Sequence, residues 1–309
     1  MLRPLRSALA RAERRHLRNP IEMQRRPIFV VSLPRSGSTL FYLLLLQRFR
    51  LAYFTNLMAR LPDSPLMVGR LTRRLGGSVP PRNLANHYGD TRGWAAPNQG
   101  WRIFNRWLPS TCDFIDPAGL DPSAVEEMRR TVAGLQDCFA APFASKWQRH
   151  APRLRALAAA FPEALFVHLR RDPLMTAQSI LAGRREFLRD ERAWLSARPR
   201  NFELIRDLPP IEQVCEQVCA LERDICEDRR LVGEERFFST SYEEFCTSPE
   251  TVFSGFAAWY QERAAGRPLE TRRLRLPELV PRAVRKVSAE EAQQIRLAIE
   301  TIRNRQDSR

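Results

Sequence analysis

Two short apolar runs, Pro27–Leu33 (PIFVVSL) and Ala164–Leu169 (ALFVHL), have the length and the β-branched and aromatic content of buried strands. Each ends in a polar turn and passes into a longer segment of helical periodicity, Ser38 to about Arg50 and Leu174 to Asp190. Between them, 52–55 reads as a further strand, 64–75 as a helix with Pro65 in its first turn, 121–140 as a helix capped by Asp121 or Ser123, 143–146 as a short strand and 152–160 as a helix. After them come a helix at 211–231, a strand at 236–240, a turn at 241–244, and helices near 249–263 and 288–304. Strand, polar turn and helix in alternation predict an α/β fold with a mainly parallel central sheet. The stretch 76–100 is dominated by Gly, Pro, Asn and Asp, yet carries Trp, Tyr and His; a loop of that length in a compact domain points to function.

Composition sharpens this in three ways. The net charge of +15 over 309 residues admits anionic partners of several kinds: a nucleotide, an acidic or sulfated glycan, a nucleic acid or an anionic membrane. Of the 50 basic residues only Lys146 and Lys286 are lysine, so almost every cation is a guanidinium able to grip an oxyanion in bidentate fashion. The six cysteines form no CxxC pair, which speaks against a zinc site and for reduced, buried thiols in a cytoplasmic protein. The apolar run Leu40–Leu46 is far too short to span a bilayer, and the arginine-rich first twenty residues lack a secretory apolar core and read as a basic amphipathic helix.

The turn after the first strand, Pro34-Arg35-Ser36-Gly37-Ser38-Thr39, places backbone amides, two hydroxyls and the start of a helix around one point, which is an anion site. Against the Walker A pattern GxxxxGK[ST] it has Ser32 for the first glycine and Ser38 for the lysine, so it is not the loop of a nucleoside triphosphatase, and the absent lysine ranks a P-loop kinase low. Its cation, Arg35, precedes the glycine and suits a donor whose transferred group carries less charge than a γ-phosphoryl; no metal is implied.

PRSGST after an apolar strand resembles the phosphosulfate loop of sulfotransferases that use 3′-phosphoadenosine 5′-phosphosulfate (PAPS), in the arginine form typical of carbohydrate and tyrosylprotein sulfotransferases and many bacterial relatives. That family carries a second element, a strand ending in arginine with a serine eight residues on. The two hold the 3′-phosphate. LFVHLRRDPLMTAQS matches it, with Arg171 in the turn and Ser179 about two helical turns along. Lys146 in SKWQRH resembles the family's lysine before the helix that leads into this motif, and FFSTSYEEF resembles the strand and turn whose tyrosine, here Tyr242, lies near the adenine. The resemblance spans about 26–260.

It implies a P-loop-like three-layer fold and sulfonate transfer from PAPS to a hydroxyl acceptor, a carbohydrate, lipid or small metabolite, with no nucleic-acid partner. Residues 1–24 would form a basic extension, 25–265 the α/β domain and 266–309 a basic, partly helical tail. Arg35 would stabilise the sulfonate and its bridging oxygen, with Ser36, Gly37, Ser38 and Thr39 holding the phosphosulfate. The base stays open between His87 in the long loop and Asp63. Gln99 stands where many bacterial relatives carry a glutamate. It keeps a rival reading in play, a non-catalytic nucleotide-binding relative, beside that of a basic binding module.

Overall fold

In the computed structural model, residues 2–75, 86–87, 90–109, 113–272, 276–280 and 286–307 are described. Helix α1 (Leu2–Leu17) precedes β1 (Ile28–Ser32), whose polar turn opens into α2 (Ser38–Arg48), followed by α3 (Asn56–Arg60) and α4 (Pro65–Arg74). A small hairpin, β2 (Asn86–His87) with β3 (Asp90–Thr91), leads to α5 (Trp101–Trp107), α6 (Pro122–Phe139), β4 (Ala144–Lys146), α7 (Leu154–Ala160), β5 (Leu165–Arg170) and α8 (Pro173–Gly183). The chain closes with α9 (Phe202–Ile205), α10 (Pro210–Val232), β6 (Phe237–Ser241), α11 (Tyr242–Thr247), α12 (Pro249–Arg263) and α13 (Ala289–Asp307).

The central sheet runs β4-β1-β5-β6, all parallel, so every strand ends at the same edge. Alternation along the strands sorts the apolar side chains onto two faces. Phe29 and Val31 of β1 and Phe166 of β5 pack with Met128, Ile180, Val218 and Ile295 from α6, α8, α10 and α13. Ile28, Val30, Leu165 and Val167 pack instead with Phe41, Phe245 and Phe253 from α2, α11 and α12. Three layers result, the α/β architecture that the alternation predicts. Among the described residues no helix is long and apolar enough to cross a membrane.

Three local expectations change. The strand foreseen at 52–55 is two isolated bridges, parallel from Ala52 to Phe143 and antiparallel from Thr55 to Pro97, because Thr55 already caps α3 by accepting from the Met58 amide at 3.3 Å. The turn foreseen at 241–244 is the first turn of α11, where Ser241 and Glu244 form a capping box. The helix foreseen to Asp190 gives way after Gly183 to a π-helical turn, Arg184–Leu188. Arg184 there is fully buried and donates to Gln213, Gln217 and the Glu191 carbonyl, a tertiary demand that overrides helical periodicity.

Helix α1 is anchored by an inward carboxylate. Ser64 supplies no side-chain cap to α4, and Glu13 takes its place from outside, accepting from the Leu66 amide at 3.0 Å and the Met67 amide at 2.8 Å. Leu17 joins the core beside it. Burial, outweighing those amides, pushes the Glu13 carboxyl up from 4.5 to about 7. The folded chain therefore holds a proton that the unfolded chain releases, so this contribution is complete below pH 4.5 and is lost as the pH rises through 7. Glu13→Gln mimics the protonated form. Urea denaturation across that window should show a loss for the native chain larger by about 2 kcal/mol than for Glu13→Gln, and equal slopes would refute the assignment.

Candidate functional site

The loop between β1 and α2 sits at the edge where all four strands end, the edge at which open parallel sheets bind ligands. Two of its residues are left-handed, Arg35 at φ 64° and Gly37 at φ 80°. No side chain caps the start of α2, which leaves its first amides to a ligand. The Ser36 hydroxyl is fully buried and has no hydrogen-bond partner among the described residues, an orphan in the middle of this cradle. Gly37 is required for a reason beyond its backbone angle. A Cβ there would come within 2.3 Å of the Tyr242 ring.

Tyr242, 5% exposed at the start of α11, is the floor of the loop. The Arg171 guanidinium lies over its ring at 4.5 Å and donates from Nη1 to the Arg35 carbonyl at 2.7 Å. The turn after β5 is thereby clamped onto the turn after β1. Ser179 on α8 is buried, and its Oγ accepts from Arg35 Nε at 3.1 Å and from Lys286 Nζ at 3.3 Å. The two sequence elements thus converge through Arg35, whose carbonyl faces Arg171 and whose side chain faces Ser179.

Lys146 ends β4, in register with Val30 of β1, and is 2% exposed. Its Nζ donates to Thr39 Oγ1 at 3.1 Å and to Gln99 Oε1 at 3.4 Å, both neutral oxygens. Burial, reinforced by the Arg35 charge, pushes its ammonium down from 10.5 to about 7. Gln99 is held there by its neighbour Asn98, which donates to Asn56 Oδ1 at 2.7 Å and accepts from the Gly100 amide at 2.8 Å.

Other candidates fall elsewhere. His87 lies in β2, paired with Asp90 of β3, and its side chain is outside the described residues. Asp63 is 68% exposed and pairs with Arg106 at 3.1 Å, a surface ion pair away from the loop. His168 is fully buried in β5, where burial and then Arg229 push it down to about 3, the neutral core residue that its strand implies. A cavity of about 590 Å³ opens at the opposite edge, lined by Arg25, Arg26, Arg50, Arg263 and Arg267 among others. Its arginines mostly brace the chain: Arg26 holds the Glu163 and Arg263 carbonyls, and Arg267 holds that of Gln24. Among the described residues no group of His, Cys, Asp and Glu could hold a metal ion.

Lys286 is the site residue that motif reading missed. It comes from the arginine-rich stretch before α13, 107 residues beyond Ser179, where no periodicity marks it. One signal was present. In a chain whose cations are otherwise arginine, both lysines reach this one site.

Solved structures of similar architecture include sulfotransferase STF9 from Mycobacterium avium, with a TM-score of 0.54 and 19% identity, covering 96% of this chain and 72% of that one. Sulfotransferase STF1 from Mycobacterium tuberculosis H37Rv follows with a TM-score of 0.51 and 16% identity, covering 94% of this chain and 75% of that one. At such identity they show the fold alone. No match is found among curated protein sequences. The sequence profile described as "Sulfotransferase family" matches residues 27–261, from the start of β1 to the end of α12, and on that match this chain belongs to the sulfotransferase family.

Proposed function

We propose that the protein transfers a sulfonate group from PAPS to a hydroxyl group of an acceptor. The observation that carries this is the separation of the cations into two ends around one loop. Lys146 stands with Thr39 at one end; Lys286 and the Arg35 guanidinium stand on Ser179 at the other. A donor with two separate anionic groups, a 5′-phosphosulfate and a 3′-phosphate, fits that division. The orphan Ser36 hydroxyl and the uncapped start of α2 favour an oxyanion between them.

In this reading Ser36, Ser38, Thr39 and the first amides of α2 receive the phosphosulfate. Arg171, Ser179 and Lys286 receive the 3′-phosphate. Arg35 bridges the two ends, and Tyr242 is a positioning residue that supports Gly37 and Arg171. The acceptor oxygen attacks sulfur in line as the bond from sulfur to the bridging oxygen breaks, releasing adenosine 3′,5′-bisphosphate (PAP). The proton of the acceptor hydroxyl passes to a base, for which His87 is the candidate. Negative charge grows on the bridging oxygen, and the Lys146 ammonium is the cation placed to stabilise it. Gln99 contributes by being an amide: a carboxylate there would form an ion pair with Lys146 and spend its charge before the donor arrived.

Gln99 also favours the second reading, a relative that binds PAPS without turning it over, and transfer of labelled sulfonate to a panel of hydroxyl acceptors separates the two. The donor assignment is tested by ligand-induced thermal stabilisation. PAP should bind at least ~100-fold more tightly than AMP, because its added phosphate gains charge-assisted hydrogen bonds. Arg171→Ala and Lys286→Ala should each remove most of that preference; equal responses to PAP and AMP in the native chain would sink the proposal.

Lys146 supplies a pH test. Its ammonium is half deprotonated near pH 7 in the free protein, and an anionic donor favours the charged form, so binding above that pH must take up a proton. Titration calorimetry of PAP in buffers of different ionisation enthalpy should show uptake approaching one proton at about pH 8 and little at about pH 6. Lys146→Met should abolish the difference. Uptake unchanged in that variant would assign the proton to another group.

A further inference from the structure

Helix α1 presents an arginine stripe that the rest of the molecule leaves unneutralised. Arg11, Arg14 and Arg15 of α1 and Arg18 just after its end, spaced i, i+3, i+4 and i+7, lie on one exposed face. Their guanidinium groups have no hydrogen-bond or ion-pair partner among the described residues. Elsewhere Arg130 pairs with Glu126 at 2.6 Å and Arg206 with Glu203 at 2.7 Å. The only carboxylate of α1, Glu13, is turned inward and 2% exposed, so none is left to offset the outer face.

The helix is also placed so that its first half stands clear. Glu13 meets Leu66 and Met67 while His16 meets Arg70, so α1 and α4 run the same way. Arg73, near the end of α4, donates to the Cys138 carbonyl at the end of α6, just before the chain enters β4 from its amino end. The part of α1 before Glu13 therefore projects past the start of α4, toward the edge that carries the donor loop. On this overhang Leu5 is 55% exposed and Leu9 half-buried.

We propose that α1 is a docking surface for an anionic phospholipid bilayer. The stripe supplies charge complementary to the headgroups, and Leu5, on the overhanging first half of the same helix, enters the boundary between headgroup and acyl chain, so the cations and the apolar anchor are both satisfied by a lipid interface. A nucleic acid would satisfy the arginines and leave the leucine in water.

The test is flotation of the full chain with vesicles. It should partition onto phosphatidylcholine vesicles containing about 30 mol % phosphatidylglycerol at least tenfold more strongly than onto neutral ones, with the difference lost in high salt. Replacing Arg11, Arg14, Arg15 and Arg18 together by glutamine should weaken partitioning at least tenfold, since each arginine near such a surface contributes roughly fivefold. Melting temperature and circular dichroism of that variant should match those of the native chain, which separates lost docking from lost folding. Leu5→Asp should weaken partitioning severalfold with the stripe intact. Failure of the native chain to float with anionic vesicles, full flotation of the glutamine variant, or preference for duplex DNA over anionic vesicles in direct competition would each overturn the proposal.

Discussion

The hydrogen bond from Arg171 to the Arg35 carbonyl, made over the face of Tyr242, joins the ends of three neighbouring strands. Arg35 follows β1, Arg171 follows β5 and Tyr242 follows β6, so one contact fixes the geometry of the edge at which these strands stop. It also explains the loop sequence. A left-handed Arg35 aims its carbonyl at Arg171, and a glycine two residues later gives the Tyr242 ring the space that a methyl group would fill. Loop, platform and clamp are in direct mutual contact.

Around that object the structure assembles charge at some cost. Lys146 is buried beside Arg35 against two neutral oxygens, and its depressed basicity measures how unfavourable that ammonium is in the free protein. On the proposed reading such a site suits an anion with more negative charge than a single phosphate. The buried Ser36 hydroxyl fits the same account, as a polar group set aside for a ligand. On that reading affinity and catalysis draw on one reserve: a cation held unfavourably before binding gains most when the donor's charge arrives.

How much of this could be read from the sequence depends on the range of the interaction that determines each part. The strands at β1 and β5 were legible because strands buried on both faces are apolar throughout and end abruptly at polar turns. Arg171 and Ser179 were legible because the eight-residue spacing is local to one turn and one helix. The π-helical turn at Arg184 was not, since its cause is a pair of glutamines on α10. Nor was the cap that Glu13 lends to α4 from a different helix. Lys286 belongs with these: its partner Ser179 is chosen by the packing of α13 against α8, which no nearby residue announces. Gly37 was recognised for its backbone, while the side chain that enforces it lies at the far end of the sheet order.

The scarcity of lysine has a chemical consequence. Guanidinium groups are poor acyl acceptors, whereas lysine amines are the ordinary sites of acetylation, carbamylation and ubiquitin attachment. A surface covered in arginine is therefore inert to that chemistry, and both lysines of the chain lie on the Thr39 and Ser179 hydroxyls. Lysine-directed modification has only those two positions to act on, and of the two Lys146 is buried while Lys286 is exposed.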